Sequence, residues 1–101
     1  MNITISKARM NYETESGYTG QVEFVVEGHK SPYEITMHSM KGNDWSYGLH
    51  FLGDPGKEEE IFVLEEYIED NDECFDQLID AARRTCINDP RANNDHKQQL
   101  Y

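Results

Sequence analysis

Residues 21–52 read QVEFVVEGHKSPYEITMHSMKGNDWSYGLHFL, and the apolar spacing within this stretch decides the fold class. Val22, Phe24 and Val26 alternate with Gln21, Glu23 and Glu27. Tyr33, Ile35 and Met37 alternate with Glu34, Thr36 and His38, and Trp45, Tyr47, Leu49 and Phe51 alternate with Ser46, Gly48 and His50. Period two marks a strand buried on one face, because successive side chains leave a strand on opposite sides. By this parity Trp45 belongs to the core. Val25 falls on the outward parity.

The turns between these runs predict how the strands pair. A four-residue loop, Gly28 to Ser31, sets Val26 against Tyr33, Phe24 against Ile35 and Val22 against Met37. A three-residue loop, Gly42 to Asp44, sets Met37 against Leu49 and Ile35 against Phe51. A two-residue Gly42-Asn43 turn is rejected, because it sets Met37 against Gly48 and empties the core row. In the preferred register His38 faces Gly48 and His50 faces Thr36, which makes the two histidines diagonal neighbours.

Upstream, Ile3 and Ile5 share one parity, and Ala8, Met10 and Tyr12 share the other. The switch at Ser6-Lys7 predicts a β-bulge, since one extra residue flips the facing of every later side chain in the strand. The expected strands are 2–12, 20–27, 32–41 and 45–52, in one antiparallel meander.

Downstream the period changes. Asp54-Pro55 looks like a helix entry, with a capping Asp and a Pro at the first helical position. Ile61, Val63, Leu64, Tyr67 and Ile68 then share about 160° of a helical wheel, with Phe62 outside that arc. Helix is preferred over a fifth strand at 60–66. A second helix, capped by Asn71 or Asp70, carries Cys74, Phe75, Leu78, Ile79 and Ala82 at i, i+1, i+4, i+5 and i+8. Helices at 55–69 and 72–86 therefore cover one sheet face. The expectation is a single α+β domain over 1–87 with a flexible tail at 88–101.

Two cysteines allow a disulfide on paper. On one continuous helix, Cys74 and Cys86 lie about 18 Å apart, whereas a bridge needs less than about 7 Å. Reduced thiols are expected. No apolar run approaches the ~20 residues of a membrane span. The first residues lack the apolar stretch of a secretory signal. A cytoplasmic protein is the expectation.

Charge is the most informative feature of the chain. Residues 1–53 hold six acids and four bases, and residues 81–101 hold two acids and four bases. Residues 54–80 hold twelve acids and only Lys57, so the whole net charge of −11 resides there. Such a surface repels phosphate, which argues against direct nucleic-acid binding. As one straight helix of about 40 Å, it would space its carboxylates much as a nucleic-acid strand spaces phosphates. The expectation is a non-enzymatic inhibitor or neutraliser, of immunity, phage or anti-defence type, acting on a basic protein surface, with DNA mimicry as one form. The partner-facing residues would be Glu58, Glu59, Glu65, Glu66, Glu69, Asp70, Asp72 and Asp76. The bland alternative is that the acids only keep the helices soluble.

A second function class is an accessory domain that binds a ligand or dimerises through its open sheet face, around Val25, Thr36, His38 and His50. His38 and His50 lack a third metal ligand at a recognised spacing, beyond Glu34 or Glu23 nearby. Asp70 to Glu73 is not a calcium loop, since Cys74 and Phe75 occupy its fifth and sixth positions. No nucleophile with an evident base and no phosphate-cradling glycine loop is present. No catalytic residue, metal or cofactor is assigned.

Overall fold

The computed structural model describes residues 1–89. Four strands, β1 (Ile3–Glu13), β2 (Gly17–Val26), β3 (Tyr33–Ser39) and β4 (Ser46–Phe51), precede two helices, α1 (Glu58–Asp70) and α2 (Asp72–Arg83). The strands form one antiparallel sheet in sequence order. The fold is α+β, with α2 over β1 and β2 and α1 over β4. The bulge lies between Ile5 and Lys7, where the Ser6 hydroxyl donates to the Glu23 carbonyl at 3.0 Å.

The parity of every strand holds, but both hairpin registers differ from expectation by two residues. Phe24 faces Tyr33 and Val22 faces Ile35, while Tyr33 faces Phe51, Ile35 faces Leu49 and Met37 faces Tyr47. A two-residue slip leaves each side chain on its own face, so parity alone does not detect it. Longer turns are the cause. Gly28 adopts a φ of 87°, the His29 N–H returns to the Val26 carbonyl at 3.0 Å, and the chain needs Lys30 to Pro32 to reach β3. In the next turn Gly42 has a φ of 89° and its N–H donates to the Ser39 hydroxyl at 2.8 Å. The observed register also aligns Phe24, Tyr33 and Phe51 as stacked rings with centroids 5.7 and 5.6 Å apart. Trp45 lies just before β4 and, half-buried, packs on Tyr18 with centroids 5.9 Å apart.

Helix α1 begins after Lys57, not at Asp54. Gly56 abuts Ser31 and Phe51 so closely that a Cβ there would come within 2.9 Å of Ser31. That approach holds 54–57 out of the helix. Glu58, Glu59 and Glu60 in the first turn suit the positive end of the helix dipole. Leu64 and Ile68 are buried, and Ile61 and Tyr67 half-buried. Val63, expected on the apolar arc, is exposed because it sits at the arc's edge.

Helix α2 buries Cys74, Leu78, Ile79 and Ala82. It ends at Arg83, not at 86, because Thr85 turns back to the sheet. The Thr85 hydroxyl donates to the Ala82 carbonyl at 2.7 Å and accepts the Met10 N–H at 3.0 Å. Asn71 occupies the N-cap position, yet its side-chain amide donates to the Tyr67 carbonyl at 2.9 Å instead of capping α2. Both cysteines are buried free thiols, Cys86 beyond the end of α2. Burial raises the pKa of each above the ordinary thiol value.

Asn88 and Asp89, expected in a flexible tail, are docked. The Asn88 amide donates to the Tyr12 carbonyl at 2.5 Å. Asp89, 1% exposed, accepts the Tyr18 hydroxyl at 2.6 Å and pairs with Arg83 at 3.2 Å. The Arg83 guanidinium covers the Tyr18 and Trp45 rings, at 5.2 and 5.8 Å from their centroids. The rest of the expected tail, 90–101, lies outside the described residues.

Candidate functional site

Six of the eight acids singled out from sequence lie on α1, and Asp72 and Asp76 lie on α2. All eight are exposed. The extended residue Asn71 separates the helices, so the single straight 40 Å row of carboxylates does not form. At about 100° per residue, Glu58, Glu59, Phe62, Glu65, Glu66 and Glu69 share a 120° arc of α1, with Asp70 just beside it. That arc is opposite Leu64 and Ile68.

Phe62 is the residue the acidic pattern concealed. It is 62% exposed at the middle of this arc, and Val63 beside it is 53% exposed. Its helical neighbours at i−4, i−3, i+3 and i+4 are Glu58, Glu59, Glu65 and Glu66, the positions whose side chains meet on a helix surface. A large ring thus stands inside a ring of carboxylates. Its place outside the apolar arc was the sequence signal for it.

Among the described residues the one ion pair is Arg83–Asp89, and no described base neutralises the α1 arc. Two carboxylates of α1 are tied to the sheet side. Glu69 accepts the Tyr47 hydroxyl at 2.6 Å, and Glu60 accepts the Lys30 backbone N–H at 2.9 Å. Burial, and then the Glu69 carboxylate, hold the Tyr47 phenol far above its ordinary pKa, with Glu65 adding in the same sense.

The open sheet face does not gather its predicted residues. His38 faces Ser46 and His50 faces Glu34. Four residues of strand separate the two histidine positions along β4, about 14 Å. They are not diagonal neighbours, because that arrangement depended on the displaced register. Val25 faces Thr4, while Thr36 and His38 face Gln21 and Thr19 further along β2. The His38 ring instead contacts the Ser16 carbonyl at 2.8 Å. Val25 lines a cleft of about 740 Å³ with Ile3, Tyr67, Cys74 and Gln77, at the corner where the sheet meets both helices.

Among the described residues no group of three His, Cys, Asp or Glu side chains is placed to hold a metal ion, and no helix is long and apolar enough to cross a membrane. Comparison with protein-family models, with curated proteins and with solved structures finds no match to this chain.

Proposed function

We propose that this chain is a non-enzymatic protein-binding inhibitor whose α1 arc docks on a basic surface of another protein. The observation that carries the reading is Phe62, exposed at the centre of Glu58, Glu59, Glu65 and Glu66. A helix whose acids served solubility alone would gain nothing from a phenyl ring in the same arc. At protein interfaces, an aromatic anchor inside a charged rim supplies much of the binding energy. The carboxylates speed encounter with a cationic surface and set its orientation. A basic surface covered in this way is closed to phosphate-bearing ligands, which is how such a protein would neutralise its target. Because the acids do not form one straight row, the reading is a protein epitope with an apolar anchor, not a nucleic-acid-shaped rod.

The test is affinity capture from the native lysate with the wild-type chain, Phe62→Ala and Glu59→Lys/Glu66→Lys. The expected result is a partner retained at physiological salt and released at about 0.5 M, where screening shortens to a few ångströms. Both variants should lose it. Retention by both variants at either salt concentration would leave the acids a solubility device.

A further inference from the structure

The two edges of the sheet are treated differently. On β1, the backbone groups of Met10 and Tyr12 point away from β2, and the segment after α2 takes them up through Thr85 and Asn88. The bulge at Ile5/Lys7 further disrupts that edge. Native sheets blunt exposed edges with such devices. Among the described residues, edge β4 has none of them. Its sequence, SYGLHF, holds no Pro and no Lys, and its ladder to β3 is unbroken.

The Leu52 N–H donates to the Pro32 carbonyl at 3.0 Å. With the observed register, the even-numbered residues of β4 therefore bond to β3. The backbone groups of Tyr47, Leu49 and Phe51 point outward, and among the described residues they have no hydrogen-bond partner. Side-chain burial differs across the same pair of strands. Tyr33, Ile35 and Met37 on β3 are at most 1% exposed, but Tyr47, Leu49 and Phe51 on β4 are only half-buried. The apolar layer thins along this edge as it does along β1, where Ile3, Ala8 and Tyr12 are also half-buried. What sets β4 apart, among the described residues, is its uncovered backbone.

We propose that the open edge of β4 takes an added strand from the basic partner. The strand is an extended segment with arginine or lysine at alternate positions, bonded to the outward backbone groups of Tyr47, Leu49 and Phe51. Its cations lie beside Glu65 and Glu69 of α1. Glu69 already reaches β4 through the Tyr47 hydroxyl, so the helix lies alongside the place such a strand would occupy. The aliphatic stem of each basic residue covers the half-exposed β4 row, and its charged head reaches the carboxylates. A second copy of this chain fits poorly. Two sheets joined edge to edge keep their helices on one face, setting α1 against α1, and each has seven carboxylates and no base.

This inference rests on the basic-partner reading but concerns the backbone edge of β4, which shares only Glu65 and Glu69 with the α1 arc. Phe62→Ala reports on the arc and methylation of the peptide backbone on the edge, so the two fail separately. The probe is a synthetic peptide alternating threonine and arginine, titrated into the isotope-labelled full chain. The expected result is slowed exchange of the Tyr47, Leu49 and Phe51 amides, lost when the arginine backbone nitrogens are methylated. Glu65→Lys should weaken the peptide about ten-fold, equivalent to about 1.4 kcal/mol. Phe62→Ala should leave it unchanged. Three unprotected amides at about 1 mM peptide, the range of very weak binding, would overturn the proposal. So would equal binding of the methylated peptide, or protection that rises with the chain's own concentration.

Discussion

The β1–β2 flank and the β4 flank of this molecule carry similar strands and helices but are finished differently. Over β1 and β2, α2 buries four residues, and the chain after it ties down Met10, Tyr12 and Tyr18. Over β4, α1 buries only Leu64 and Ile68. The apolar rows of both edge strands are part-buried, but among the described residues only on β1 does a following segment bond the outward backbone. The closed flank ends in an ion pair between buried Asp89 and part-buried Arg83, whose guanidinium lies over two aromatic rings; the other ends in an arc of acids around Phe62 that no described base pairs. Most of the buried helix surface lies on one side, and the proposed docking surface on the other.

The largest expected effect tests that asymmetry directly. Leu78→Ala on the closed flank removes a fully buried side chain and should cost about 2–5 kcal/mol. Leu49→Ala on the open flank removes a part-buried one and should cost about 1.5–2 kcal/mol, most of the transfer free energy but no enclosed-cavity cost. Urea unfolding of the two variants gives both numbers. Equal costs would mean that the β4 row is as well covered as α2, which breaks the comparison.

Phenol titration gives a smaller, pH-gated effect shared by the two flanks. Tyr18 on the closed side and Tyr47 on the open side both have raised pKa values, as does Tyr33 between them, with burial the largest cause in each. Asp89 and Glu69 add to it for the first two, and Arg83 partly opposes it at Tyr18. A folded pKa above the unfolded value of about 10 means that the folded chain holds the proton more tightly. The stabilisation is complete below that pH and is lost as pH rises through the folded values. Within that window each tyrosine lowers stability by at most about 1.4 kcal/mol per pH unit. The buried thiols Cys74 and Cys86 act in the same sense from about pH 8.5. Unfolding midpoints should therefore fall steeply above pH 10, and Tyr47→Phe should flatten the slope by one group. A midpoint indifferent to pH up to 11 would contradict the burial of all three.

The same physics decided how much of this was legible in the sequence. Alternation in 21–52 determines which face each side chain takes, and that survives any even slip, so fold class was readable and register was not. The bulge was readable because an odd slip changes parity at Ser6-Lys7. The start of α1 was misplaced because Gly56 answers to Ser31, a contact across the fold. Asn88 and Asp89 gave no periodic signal, since their partners Tyr12 and Tyr18 lie 76 and 71 residues upstream. At the candidate site the acids were plain. Phe62 was visible only as a misfit on the wheel, and the open β4 edge needed the whole sheet.

The smallest expected effect is on stability at the open flank's outer face. Phe62 stands in solvent away from Leu64 and Ile68, so Phe62→Ala leaves no cavity. Alanine is also the better helix former by a few tenths of a kcal/mol. Glu66→Lys places a cation four residues before Asp70, in the middle of a helix with no base of its own. Such an i, i+4 pair adds about 0.2–0.5 kcal/mol. Both variants should melt within about 0.5 kcal/mol of the parent, as surface changes usually do, and each should shift slightly towards greater stability. That near-silence makes them clean reporters of binding, because any loss of partner then comes from the surface and not from the fold. A loss above about 2 kcal/mol, the range reserved for core changes, would show that Phe62 is packed in solution. The asymmetry between the two flanks would then disappear.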